Sequence, residues 1–302
     1  MLERPEGTGI RYGAGKPESQ DHISVQERKQ PREPLRAYDV SSEDFDRDRE
    51  IERISRRARL FWERESRTLD WFGLRDGMRI LELGSGPGYY TELLLTKYPS
   101  SHVTGIEVDA ELSSSARARL TKEALTRFTA LRADLETDDL GGGFDCAIAR
   151  LIFQHLADPL QVVRKVFRSL NPGGRLVVTD VDADLLAIVT PMTPALRDLQ
   201  RAQETLMHRK GTDRAIGRKL WRLLKAGGFA DLDLELICAH SDASSIDAFA
   251  HELDPVTWER LVAVGALSAP QFESALQARR ELLESDPFLL IALLMVTGVK
   301  PR

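Results

Sequence analysis

The stretch Leu81-Glu82-Leu83-Gly84-Ser85-Gly86-Pro87-Gly88-Tyr89-Tyr90-Thr91 decides the fold of this chain. A short apolar run, Arg79 to Leu83, ends in three alternating glycines and leads into a helical stretch from Tyr90 to Tyr98. Glycines so placed let the backbone turn tightly and let a ligand touch it without interference from Cβ atoms. The spacing is not the dinucleotide-binding G-x-G-x-x-G, because the third glycine comes one residue early. No Gly-Lys-Ser/Thr follows to cradle a phosphate. An acid two residues before the first glycine suits a cationic ligand that lacks a pyrophosphate.

Outward from this loop the punctuation repeats. Val103 to Glu107, Phe128 to Arg132, Phe144 to Ala149 and Arg175 to Thr179 are further apolar runs. Tyr90 to Tyr98, Ala110 to Leu125 and Pro159 to Leu170 read as helices between them. Apolar strands alternating with helices predict a parallel, doubly wound α/β sheet. Glu107 ends the second run, 19 residues past Gly88, where a carboxylate accepts the hydroxyls of a ribose. Asp134 closes the third, where a carboxylate can accept an adenine amino group. In such sheets ligands bind outside the carboxyl ends of the strands.

The rest of the chain bounds the function. Of 302 residues, 42% are apolar and 29% charged, with a net charge of −5, which argues against binding through nonspecific phosphate contacts. Cys146 and Cys238 lie in apolar runs and read as buried reduced thiols, too few for a disulfide framework or a four-thiolate zinc site. No signal peptide stands at MLERPEG. The longest apolar run, Phe288 to Val299, is shorter than the roughly 20 residues of a membrane span and reads as a strand. A soluble, cytoplasmic protein is the expectation.

Residues 1–37, rich in Gly, Pro and mixed charge, read as a flexible arm. A helical lid over 38–72 starts at Ser41-Ser42-Glu43-Asp44 and carries Ile51, Ile54, Ala58, Phe61 and Trp62 on one face. Arg53, Arg56, Arg57, Arg59 and Arg64 lie on the other, interleaved with acids, and read as a solvated face. The same helix offers a surface for a homodimer. Residues 73–240 form the core. A cap over 241–285 holds three helices, started by Ser245, Asp254-Pro255 and a capping box at Ser268-x-x-Gln271. Residues 286–302 carry the final strand.

ELGSGPG, GIEVD and RADLE, with FDCAIAR, HLADP and the turn Asn171-Pro172-Gly173-Gly174, resemble the class I S-adenosylmethionine-dependent methyltransferases, in their small-molecule branch. The resemblance covers about residues 72 to 240, with looser likeness over Arg214 to Phe229 and at the terminal GVKP. It implies a seven-stranded Rossmann-like sheet whose last strand runs antiparallel. It also implies S-adenosyl-L-methionine as cofactor: Gly84, Gly86 and Gly88 under the methionine part, Glu82 at its amino end, Glu107 on the ribose, and Asp134 and Leu135 at the adenine. Arg150 would face the cofactor or the mouth of the substrate site.

Methyl transfer from a sulfonium is an in-line displacement, for which the protein orients a nucleophile and, for some acceptors, removes a proton. His155 is the candidate base, with Arg150 beside it; against this stands a reading of His155 as a packing residue at a helix start. His240 and His251 are weaker candidates. No cluster has metal-ligand spacing. The fourth strand ends Ala149-Arg150-Leu151-Ile152 rather than in the Asn/Asp-Pro-Pro-Tyr/Phe turn of base-amino methyltransferases, and Cys146 lacks the adjacent proline of cytosine carbon-5 enzymes. A small-molecule acceptor, with no membrane and no nucleic-acid partner, is therefore the first expectation. The alternatives are an RNA- or protein-modifying methyltransferase, and a cofactor-binding protein of this fold that transfers no methyl, such as a cyclase.

Overall fold

The computed structural model describes residues 47–185 and 188–302. The expected arm over 1–37 and the helix start at Ser41 lie outside them. In chain order the elements are α1 (Arg47–Trp71), β1 (Arg79–Leu83), α2 (Tyr89–Lys97), β2 (His102–Glu107), α3 (Ala110–Arg119), α4 (Lys122–Leu125), β3 (Phe128–Arg132) and β4 (Phe144–Arg150). There follow α5 (Pro159–Ser169), β5 (Leu170–Val181), β6 (Ile188–Thr190), α6 (Pro194–Arg209), α7 (Leu220–Ala226) and β7 (Ala230–His240). The chain ends with α8 (Ser241–Ser244), α9 (Pro255–Ala263), α10 (Ala269–Glu284) and β8 (Phe288–Val299); the 3-10 segments include Phe153–His155 and Ile246–Leu253.

The strands form one sheet in the order β3-β2-β1-β4-β5-β8, with β7 and the short β6 both pairing to β8. The first five are mutually parallel; β8 runs antiparallel to β5, β6 and β7. The expected seven-stranded framework is thus present, and three-residue β6 adds an eighth strand against Phe288–Leu290. Successive residues of the central strands feed opposite layers, as the pleat requires. Ile80, Cys146, Ile148 and Val177 join one core with α1 and α2, whereas Leu81, Ala147, Ala149 and Val178 join the other with α5 and α7.

Several local expectations change. The helix expected over Ala110 to Leu125 breaks at Leu120-Thr121, where the Thr121 hydroxyl accepts the Ala124 amide and caps a new turn. β5 starts at Leu170, before the Asn-Pro-Gly-Gly turn, because Leu170 pairs with Phe144 ahead of a register shift. The segment after Ser245 is 3-10 rather than α: Ser245 has φ 62° and no capping bond. The Asp254 cap and the Ser268-Gln271 capping box form as read. Cys146 is buried, but Cys238 is only half-buried.

The solvated arginine face of α1 is the largest change. Arg56 and Arg59 are exposed, but Arg57 turns inward to an ion pair with Glu252, and Arg53 pairs with buried Glu50. The apolar face, with Ala58, Phe61 and Leu69 buried, packs within the chain's own core. Helix α6, in a stretch read as part of the core, packs on α9 and α10 and so joins the cap. Among the described residues no helix is long and apolar enough to cross a membrane.

Candidate active site

The loop after β1 gives its three glycines three different jobs. All have positive φ, at 66°, 54° and 81°, where a Cβ is strained. A Cβ on Gly88 would meet Ala116 Cβ at 2.7 Å, so this glycine lets α2 approach α3. A Cβ on Gly84 would press on Ile152 at 3.0 Å. A Cβ on Gly86 would meet nothing within 4 Å. The middle glycine therefore borders open space, as a backbone cradle for a ligand does.

Glu107 organises the adjoining strand ends. Its Oε2 accepts the Gly86 amide at 2.9 Å and its Oε1 the Asp109 amide at 3.0 Å. Its backbone oxygen accepts from Ala133, immediately before Asp134. Burial pushes its pKa up against the pull of those amides. Asp134 is half-buried and accepts the Glu136 amide at 2.8 Å, and Leu135 beside it is buried. Glu82 is buried on the α2 side, where the Thr91 hydroxyl donates to it at 2.6 Å. Desolvation raises its pKa to about 8, despite the Thr91 bond, with Glu107 adding to the rise. Two carboxyls that resist ionisation beside an open glycine backbone form a site that gains from a bound cation.

Past β4 the chain turns sharply. Leu151 has φ 56° and donates its amide to Thr179 at 2.8 Å, which bends the backbone off the sheet into the Phe153–His155 turn. Buried Asp180, at the end of β5, accepts the Gln154 amide at 3.2 Å; burial raises its pKa to about 7. Arg150 does not reach into open space. Its Nε donates to both oxygens of Glu65 at 3.0 Å, Nη2 donates to the Arg57 carbonyl at 3.1 Å, and its guanidinium lies 5.3 Å from the Tyr90 ring centre. Trp62 meets the same ring edge-on at 5.5 Å. His155 lies beneath α1. Burial, then the charge of Arg53, lowers its pKa to about 4. The same two causes, in the same order, lower His251 to about 4.

The structure therefore brings Glu82, the glycine loop, Glu107 and Asp134 to one edge of the sheet, and Arg150 and His155 to the adjoining ends of β4 and β5. The sequence reading missed Glu65, Arg57, Tyr90 and Asp180. Their signal was faint: single polar residues at apolar spacings within elements already identified. Among the described residues no group of three or more His, Cys, Asp or Glu could hold a metal. A groove between α6 and α10, lined by Thr193, Glu273 and Gln277, includes none of these side chains.

A sheet of this order, with a glycine loop after β1 and an acid at the end of β2, is the arrangement expected of the class I S-adenosylmethionine-dependent methyltransferases. The chain belongs to this class: the family model described as a methyltransferase domain matches residues 74–228. It is similar to a 37.1 kDa protein of transposon TN4556 from Streptomyces fradiae, 37% identical over 164 residues, covering 54% of this chain and 46% of that one. It is also similar to trans-aconitate 2-methyltransferase from Azoarcus sp. strain BH72, 32% identical over 105 residues, covering 35% and 40%. The chain thus spans less than half the length of these curated relatives. Among solved structures, phosphoethanolamine N-methyltransferase 2 of Haemonchus contortus, in complex with phosphomonomethylethanolamine and S-adenosylhomocysteine, superposes with a TM-score of 0.51 at 18% identity. That match covers 80% of this chain and 53% of the other, and it shows the shared fold.

Proposed function

We propose that this protein transfers a methyl group from S-adenosyl-L-methionine to a small-molecule acceptor held beneath α1 and the cap. The observation that carries this reading is the open backbone at Gly86 beside two carboxyls whose pKa is raised by burial, Glu82 and Glu107. The bound cofactor supplies the electrophilic methyl and needs no covalent help from the protein. Glu82 ionises to hold the ammonium of the methionine part. Glu107 keeps two backbone amides and offers its remaining lone pairs to the ribose. Asp134 and Leu135 border the adenine, and Gly84, Gly86 and Gly88 shape the loop beneath the chain of the ligand.

On the acceptor side, α1 is tied to the end of β4 through the Glu65–Arg150 pair and to the cap through the Arg57–Glu252 pair. Helix α1 gives its apolar face to this join, which favours a chamber wall over a homodimer surface. Arg150 acts as a positioning residue that fixes α1 and Tyr90. His155, neutral at ordinary pH, contacts the acceptor as a hydrogen-bond partner; a pKa of about 4 makes it a weak base. Orienting the acceptor in line with the methyl then provides most of the rate. The relative that acts on trans-aconitate supports a small acceptor, and closure by a helix disfavours RNA or a protein surface.

The test is release of S-adenosylhomocysteine when the full chain is incubated with cofactor and panels of small organic acids, alcohols and amines. Turnover with a member of these panels supports the reading. Cofactor binding with turnover confined to RNA or protein acceptors overturns it.

A further inference from the structure

The turn that presents Gly86 is held on more than one side. Ser85 to Gly88 is a tight turn, closed by the Gly88 amide on the Ser85 carbonyl at 3.1 Å, with Gly86 at φ 54° and Pro87 as its central residues. Glu107 takes the Gly86 amide, and Pro87 has no amide hydrogen to offer. The Pro87 carbonyl accepts the Nε–H of Arg119 at 3.1 Å. The same guanidinium lies 3.4 Å from the ring centre of Tyr89, the first residue of α2. Arg119 thus grips both the turn and the helix that follows it.

This reach has a cause in α3. Arg119 is the last residue of that helix. Ala116, three residues earlier on the same face, is the residue that a Cβ on Gly88 would meet at 2.7 Å. The bare Gly88 lets α3 come close, and that approach brings the half-buried Arg119 to Pro87. The start of α3 is tied to the same turn. Glu107 Oε1 accepts the amide of Asp109, which caps the helix, while Glu107 Oε2 accepts the Gly86 amide. Helix α3 is therefore joined to the turn at both ends, through Glu107 at its start and Arg119 at its finish.

Such a turn needs holding. Gly86 and Gly88 can each take either sign of φ, so a free loop of this composition samples many shapes. A segment already fixed in its bound shape binds its ligand more tightly, because less order has to be imposed on binding. A cation at a helix C-terminus can also serve the helix carbonyls alone. Arg117, exposed in the same last turn, is such a case: its guanidinium reaches the Ala130 carbonyl at 3.2 Å, on the side of β3. Arg119 differs in using its planar fork for a hydrogen bond and its face for a stack.

We propose that Arg119, stacked on Tyr89, is a clamp that preorganises the Ser85–Gly88 turn for S-adenosylmethionine. It is a positioning residue, acting on cofactor affinity through the turn. The inference rests on the reading that the cofactor lies along the Gly86 backbone.

Calorimetric titration of the full chain with S-adenosylmethionine and S-adenosylhomocysteine, with thermal melts of each ligand-free variant, tests the clamp. Arg119→Gln weakens both ligands about tenfold while the protein remains folded. Arg119→Lys, which keeps the charge but not the fork, is weakened less. Tyr89→Ala is weakened in the same direction, Tyr89→Phe keeps wild-type affinity, and so does Arg117→Ala. Wild-type affinity in a folded Arg119→Gln, with only its melting temperature lowered, makes the residue a plain structural contact and overturns the proposal. Equal weakening by Arg117→Ala assigns the effect to charge at the end of α3 and overturns it as well. Should Arg119→Gln not fold, Arg119→Lys and Tyr89→Ala decide in the same way. Absence of binding by the folded wild type overturns the cofactor reading and the clamp together, whereas wild-type binding that the variants leave unaltered overturns the clamp alone.

Discussion

Glu65 and Arg150 face one another across the join between α1 and the sheet, the Nε of Arg150 lying 3.0 Å from both carboxylate oxygens. Glu65 has no solvent exposure and the Arg150 side chain 9%. The bond ties the last third of the helix directly to the carboxyl end of a central strand. The same guanidinium reaches the Arg57 carbonyl and lies against the Tyr90 ring, on which Trp62 packs edge-on.

Removing one member should cost more than removing both. Glu65→Ala leaves a buried guanidinium uncompensated and is expected to destabilise by about 3–5 kcal/mol. The double variant Glu65→Leu, Arg150→Met exchanges the pair for apolar volume and should recover most of that loss. Urea unfolding of the two variants measures the difference. Equal destabilisation by both would show that the pair contributes nothing specific.

The glycines separate fold from binding. Gly88→Ala drives a Cβ to 2.7 Å from Ala116 and should lower the melting temperature markedly. Gly86→Ala meets no protein atom and should cost only the roughly 1–2 kcal/mol of a left-handed non-glycine residue. Its affinity for S-adenosylmethionine should nevertheless fall at least tenfold. Thermal melts and calorimetry, run on both variants, check the pattern; Gly86→Val is the more severe form of the same test.

Glu82 gives the protein without ligand a pH signature. Its folded pKa of about 8 and that of Asp180, about 7, lie above their ordinary values, so the folded state keeps protons that the unfolded chain has released. Stability from these two groups is complete below about pH 4 and falls as pH rises through 7 and 8. His155 and His251, depressed to about 4, act oppositely: their contribution is lost as pH falls from 6.5 toward 4. The trends offset each other between about pH 4.5 and 6.5, and only the carboxyl trend remains above. Stability should therefore drop by roughly 2–3 kcal/mol between pH 6.5 and 8. Glu82→Gln should remove most of that drop, as should saturating S-adenosylmethionine on the proposed contact of its ammonium with Glu82. Denaturant midpoints across this range check the trend; a flat wild-type profile contradicts the assignment.

His155 carries a kinetic expectation. With its pKa near 4, the rate on an accepted substrate should show no rising limb around pH 6.5. His155→Gln, which keeps a hydrogen-bond donor, should retain more kcat/KM than His155→Ala. A limb near 6.5 that disappears in His155→Ala would restore the histidine as a titrating base.

The fold was legible because its signals are local and repeated. Alternating glycines after an apolar run, an acid ending β2 and the Asn171-Pro172-Gly173-Gly174 turn each follow from backbone geometry, and each holds its place in the sheet. The join between α1, the sheet and the cap was less legible because its residues come together only through tertiary packing. Arg53 and Arg57 sit among exposed arginines and acids on α1, and nothing in their spacing reveals that Glu50 and Glu252 turn them inward. Glu65 looks like one more acid on a polar helix until Arg150 meets it. Helix α6 carried a readable start, Thr193-Pro194, but its packing against α10 depends on a cap about 70 residues further along.

Binding of S-adenosylmethionine at the edge formed by the glycine loop, Glu82, Glu107 and Asp134 is the property on which the rest depends. Calorimetric titration of the full chain with that cofactor measures it directly. One site with a Kd below about 100 μM is expected, weakened at least tenfold in a folded Glu107→Ala. No binding by the folded wild type at millimolar cofactor, or affinity unchanged from wild type in both Glu107→Ala and Gly86→Ala, would contradict it.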